Sequence, residues 1–121
     1  MTRRLPDPRP QVEIVAGRAH VVGQQCAACG LRTTLVVSAC PGCRGELAPV
    51  RFGPDGTVWG STVIRVPVAG RTPPYCLAYV DLDGGPRVLV HVKASTEPVA
   101  VGTRVRLRGD SGGDLVVELV R

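Results

Sequence analysis

The sequence predicts a mostly β protein in two parts, a small metal-stabilised ribbon followed by a compact barrel, and three observations carry that reading. Four of the five cysteines stand as two close pairs, Cys26-Ala-Ala-Cys29 and Cys40-Pro-Gly-Cys43. From Thr57 onward apolar residues, mostly valine, alternate with polar ones at the period of a strand. Gly (15) and Pro (11) punctuate the 121 residues too often for long helices. Hydrophobic residues reach 44% but aromatics only 3%, so the core has to be assembled from Val, Leu, Ala and Ile, and valine-rich runs favour strands. No stretch is apolar over the roughly 18 residues that a membrane-spanning helix requires.

Each Cys-x-x-Cys pair turns the backbone tightly enough for two thiolates to face one ion, and two pairs complete the tetrahedron that suits zinc. The expected metal ligands are Cys26, Cys29, Cys40 and Cys43. A site closed by four sulfurs keeps no position for water or substrate, so the expected Zn2+ is structural and supplies folding free energy that so short a segment cannot draw from apolar burial. Only residues 30–39 separate the pairs, fewer than the roughly 15–20 common in such motifs. That suits a minimal ribbon with one short strand at 31–37. Three other readings use the same cysteines. Two disulfides are disfavoured because no apolar signal segment opens the chain, which points to a reducing, cytoplasmic setting. Iron in the same four-sulfur site makes a rubredoxin-like electron carrier, and a lone Cys-x-x-Cys makes a redox pair. His20 is close in sequence, but four thiolates leave it no place as a ligand.

Taken in order, residues 1–11 read as a proline- and arginine-rich flexible tail, 12–50 as the ribbon and 51–121 as the barrel domain. Residues 12–22 form two extended pieces about Gly17, and 44–56 form a connector in which Phe52 docks the ribbon on the barrel. Five strand-like runs come next. The first, 57–68, places Val58, Thr62, Ile64 and Val66 on one face and Trp59, Val63 and Arg65 on the other, with a bend at Gly60. The second, 75–82, aligns Cys76, Ala78, Val80 and Leu82, and a hairpin turn follows at 83–86. The third, 87–93, points Val88, Val90 and Val92 inward and Arg87, Leu89, His91 and Lys93 outward. The fourth and fifth lie at 104–108 and 115–120. Five short strands with a long, bent first strand fit the five-stranded OB-fold barrel, so the fold class expected is a rubredoxin-like zinc ribbon followed by an OB-fold barrel.

Charge narrows the partners. The formal net charge is +5, and a Zn2+ ion on four thiolates contributes −2, leaving about +3. Lys93 is the one lysine among the 15 basic residues; arginine suits phosphate through its planar fork, but a solvated surface explains it equally well. No catalytic set emerges: Cys76 alternates with apolar residues like a small buried hydrophobe, and His91 sits on the polar side of its run.

The two cysteine pairs, then Gly56-Thr-Val-Trp-Gly-Ser-Thr-Val63, Pro73-Pro74-Tyr75 leading to Val80-Asp81-Leu82, and Val101-Gly102-Thr103-Arg104-Val105 occur in an order and spacing that resemble the zinc-ribbon plus OB-fold proteins of the DUF35 family. The resemblance covers residues 25–121. It implies a non-catalytic subunit that binds a thiolase or ketoacyl-synthase-like enzyme and assists acyl-CoA thioesters through condensation, acyl transfer or retro-aldol cleavage. The four cysteines carry over as zinc ligands, while Arg65, Arg71, Tyr75, Arg87 and Lys93 are candidates for contact with the CoA arm or the partner. The segment 31–39 departs from the family in lacking its Pro-Pro-Arg stretch. A nucleic-acid-binding OB-fold and ribbon module is the competing reading; single-strand binders stack bases on aromatic side chains along a basic groove, and Phe52, Trp59, Tyr75 and Tyr79 are few for that purpose.

Overall fold

Ala16 and Gly17 both take positive φ, 52° and 77°, and the tight turn they make folds β1 (Gln11–Val15) onto β2 (Arg18–Cys26) as an antiparallel hairpin. This computed structural model describes residues 9–120, so most of the tail expected at 1–11 lies outside the described residues, and Gln11 already belongs to a strand. β2 is the spine of the N-terminal sheet. Beyond the end of β1 it pairs with β3 (Arg32–Thr33), and its other edge is covered from Val21 to Cys26 by β4 (Leu47–Phe52).

Two expectations change here. The strand expected at 31–37 is only two residues long, because β2 ends at Cys26 and offers pairing only at Gln24 and Gln25. Leu35, Val36 and Val37 are exposed; the Val37 N–H donates to Gln24 Oε1 at 2.8 Å. The connector expected at 44–56 contains β4, which satisfies the backbone of the open β2 edge. As an edge strand it tolerates Pro49, whose missing N–H interrupts no inner ladder.

The chain then builds a closed barrel from β5 (Asp55–Ile64), β6 (Tyr75–Leu82), β7 (Arg87–Val92), β8 (Arg104–Ser111) and β9 (Asp114–Leu119). Neighbours follow the order β5-β6-β7-β9-β8, with β8 closing on β5. Every pairing is antiparallel except β7 with β9. This is the Greek-key order of an OB-fold, as expected.

The faces of the first barrel strand differ from the sequence reading. Val58 faces the core opposite Val80, but the register then slips so that Gly60 opposes Tyr79. Trp59 is the extra residue of this bulge. Beyond it Ser61 lies opposite buried Ala78 and Val63 opposite buried Cys76, so these two turn inward, and Thr62 and Ile64 do not. A period-two pattern has no term for a bulge, which inverts the phase of everything after it. Val66 lies past the end of the strand, exposed.

The barrel interior is valine, leucine, alanine and Cys76, and the same buried cluster takes in Ala19, Val21 and Phe52 from the N-terminal sheet. Phe52 is the connector between the two parts. Its ring occupies the space where Gly85 and Gly23 would carry side chains, with a Cβ on Gly85 falling 2.6–2.8 Å from the ring and Cβ carbons. Burial of a phenylalanine contributes about 2–3 kcal/mol, which fastens the N-terminal sheet to the β6–β7 turn. Among the described residues no helix is long and apolar enough to cross a membrane.

Candidate metal centre and basic groove

The two cysteine turns are built alike. In the first, the Cys26 N–H donates to the Leu31 carbonyl (2.8 Å) and the Gly30 N–H to the Cys26 carbonyl (3.1 Å). In the second, the Cys40 N–H donates to the Gly45 carbonyl (3.0 Å) and the Arg44 N–H to the Cys40 carbonyl (2.8 Å). The residue four after each leading cysteine takes positive φ: Gly30 at 78° and Arg44 at 62°. Sequence reading saw the cysteine spacing but not that an arginine holds the glycine place.

These turns bring the sulfurs of Cys26, Cys29, Cys40 and Cys43 within 4.8 Å of one another. Cys26 Sγ lies 3.5 Å from Cys43 Sγ, and Cys29 Sγ 3.7 Å from Cys40 Sγ. A disulfide needs about 2.05 Å, and all the cysteines are free. A tetrahedron with metal–sulfur bonds of about 2.3 Å has edges of about 3.8 Å, which the observed separations approach. Backbone N–H groups of Ala28 and Cys29 donate to Cys26 Sγ at 3.4 Å each, and that of Gly45 to Cys43 Sγ at 3.3 Å. A Cβ on Gly45 would fall 3.0 Å from Cys26 Sγ, so the chain passes the sulfurs where a side chain would crowd them.

The thiol acidities show what the donor set suits. The Cys29 amide, helped by that of Ala28 and the Cys43 thiol and opposed by burial, brings Cys26 down to about 6. The Cys43 amide likewise lowers Cys40. At Cys43 the Gly45 amide pulls the same way, but the crowded Cys26 and Cys29 sulfurs overcome it and push the thiol up to about 12. Four sulfurs this close cannot all be anions without a cation among them. The donor set therefore fits a tetrahedral divalent metal, held by Cys26, Cys29, Cys40 and Cys43. His20, near the start of β2 opposite Glu13, is outside this group.

The remaining candidates do not form one site. Arg71, Tyr75 and Lys93 line a groove of about 540 Å³ beside the β8–β9 turn, together with His91 and buried Cys76. The parallel pairing of β7 with β9 sets His91 level with Val116, and the Tyr75 and His91 rings lie 5.6 Å apart. Asp114 organises the rim. It accepts from Arg71 at 3.0 Å and from Arg9 at 3.2 Å, with His91 at 3.6 Å. The Arg71 fork, then Arg9 and His91, hold its carboxyl below the usual range. Burial, then the Arg71 charge, lower His91, and burial pushes the Cys76 thiol up. Sequence reading missed Asp114, the first residue of β9 directly after the Gly112-Gly113 turn, where no periodicity marks it.

Arg87 is elsewhere, 4.1 Å above the Trp59 ring, with its fork on Asp81 at 2.7 and 3.2 Å. Arg65 is exposed just past β5. The stripe of arginines on β8 is matched by carboxylates: Arg104 with Asp83 at 2.6 Å, Arg106 with Asp55 at 2.7 Å and Arg108 with Glu118 at 3.4 Å. Hydrogen bonds from Arg104 and Arg106 lower the Asp83 and Asp55 pKa values.

Comparison with known proteins places this architecture. Residues 49–110, about half of the chain, match the family model of the ChsH2 C-terminal OB-fold domain. The chain belongs to this DUF35 family. Among solved structures the DUF35 chain is similar to one in the Ltp2–ChsH2 (DUF35) aldolase, with 24% identity, TM-score 0.66, and 83% of this chain and 84% of that one covered. It is also similar to a DUF35 protein of unknown function from Sulfolobus solfataricus, with 20% identity, TM-score 0.61, and coverage of 84% and 76%. At these coverages both likenesses extend beyond the barrel into the N-terminal part of the chain.

Proposed function

We propose that this chain is a non-catalytic accessory subunit that binds a thiolase or ketoacyl-synthase-like enzyme in the cytoplasm and assists it with acyl-CoA thioesters. The observation that carries the reading is the OB barrel shared with the ChsH2 family, together with a fold likeness over most of the chain to a protein solved as the Ltp2–ChsH2 (DUF35) aldolase. In this reading the ribbon expected at 12–50 is the sheet β1 to β4, which runs on through Phe52 and is stiffened by a structural Zn2+ on the four cysteines, and β5 to β9 form the barrel domain expected at 51–121. The metal supplies folding free energy and no reaction step.

The groove is the place for the anionic part of a CoA arm. Lys93 offers an exposed ammonium suited to phosphate oxygens and Tyr75 beside His91 a ring for a base, whereas Arg71, held by Asp114 at 3.0 Å, reaches a phosphate only by releasing that carboxylate. Arg65 and Arg87 are then contacts to the partner, outside the groove. The matched arginines of β8 argue against the competing nucleic-acid reading, because a phosphodiester would have to displace carboxylates already 2.6–3.4 Å away.

Affinity purification from the native host with this chain as bait tests the proposal. The expected result is a thiolase-fold enzyme whose turnover of an acyl-CoA falls when the chain is withheld. Recovery of nucleic acid without such an enzyme, with affinity falling steeply with salt, refutes it.

A further inference from the structure

The outer face of β5, β6 and β7 carries an apolar hollow that neither the cysteine cluster nor the basic groove uses. The bulge turns Trp59 outward and sets Gly60 opposite Tyr79, whose partner on the next strand is Leu89. Trp59, Tyr79 and Leu89 are 54%, 47% and 49% exposed. With Thr62 and Leu77 they surround a space of about 440 Å³ over Gly60. A Cβ built on Gly60 meets nothing within 4 Å, and its φ is not positive. The backbone does not require glycine there; the missing side chain is what opens the hollow.

The bordering charges say what fits. Arg87 covers one face of the Trp59 ring while its fork is held by Asp81, and no charged side chain lines the hollow itself. Trp59 meets Tyr79 edge-on, with centroids 6.1 Å apart at 77°. A nucleic-acid base would have to remove Arg87 to stack on the covered face. A charged group brought in here would lose water to an apolar lining and meet at its border only Arg87 and Asp81, already paired with each other. The matching surface is therefore itself apolar and uncharged. Aromatic side chains and arginine around a depression, with matched charges outside, are also the composition of energetically dominant protein-interface centres.

We propose that this hollow receives an uncharged apolar side chain of the partner enzyme, inserted over Gly60 and packed by Trp59, Tyr79 and Leu89. The inference rests on the accessory-subunit reading and assigns it a docking face. The enzyme recovered with the wild-type chain is the probe, titrated calorimetrically into wild type and Gly60→Leu. Gly60→Leu fills the hollow from outside the core, and its melting curve checks that the fold is kept; Leu89→Arg tests the same face should that variant fail to fold. The expected result is at least tenfold weaker binding by the variant and wild-type affinity that changes less than threefold between 50 and 300 mM NaCl. Trp59 is the one tryptophan, so 5-fluorotryptophan labelling yields a single ¹⁹F resonance, which shifts on binding. Equal affinity of wild type and both variants overturns the docking face and leaves the accessory reading standing. Failure of any thiolase-fold enzyme to bind wild type overturns both. Binding of a dT20 oligonucleotide that Gly60→Leu abolishes, or a wild-type dimer in sedimentation that the variant loses, overturns the inference by naming a different occupant.

Discussion

Replacing Arg44 by glycine should stabilise the metal-loaded protein, although it removes a whole side chain. Gly30 and Arg44 occupy the same place in two turns with the same hydrogen bonds, and Arg44 holds φ at 62°. A residue with a Cβ in that region costs roughly 1–2 kcal/mol, and the extra freedom of glycine in the unfolded chain offsets about 0.5–1 kcal/mol of the relief. The net gain is then about 0.5–1 kcal/mol, or roughly 2–5 °C in melting temperature for a chain of this size. The reciprocal variant isolates the cause. A Cβ on Gly30 meets nothing within 4 Å, so Gly30→Ala should lose stability through backbone conformation alone, by about 1 kcal/mol. Thermal melts followed by circular dichroism at saturating Zn2+, with chelator competition for metal affinity, measure both. If Arg44→Gly melts at or below the wild-type temperature while Gly30→Ala behaves as stated, the Arg44 side chain makes a stabilising contact that outweighs its backbone conformation, and the equivalence of the two turns does not govern stability.

Three further outcomes are expected of the site and the core. Chelation at neutral pH should expose four thiols to a disulfide reagent, those of the cluster, while Cys76, fully buried, reacts only after denaturant is added; Cys26→Ser or Cys43→Ser should lose the metal outright, and retention of one equivalent of zinc with unchanged melting in either would count against the site. Phe52→Ala should cost about 3–5 kcal/mol and separate the unfolding of the cysteine sheet from that of the barrel in urea; a single unshifted transition would show that the two parts are joined by something else.

The cysteine turns were legible because their chemistry is local: spacing within a few residues decides whether thiolates face one ion. The barrel strands were legible where alternation is unbroken, as along Val88, Val90 and Val92, since each valine reports its own face. The family resemblance rested on these same short stretches. Pairing partners are another matter. β4 forms because β2 has an open edge, and Phe52 is buried because Gly23 and Gly85 converge on it. The bulge at Trp59 exchanges the faces of the residues beyond it, and the pairing of β7 with β6 and β9 brings Tyr75, His91 and Lys93 to one groove, with Asp114 against His91. By itself the sequence determined which residues can bind a metal and which alternate. Tertiary structure alone decided which arginines are already held by carboxylates and which apolar side chains stay open, because ion pairs and hollows join residues tens of positions apart and leave no local period to read.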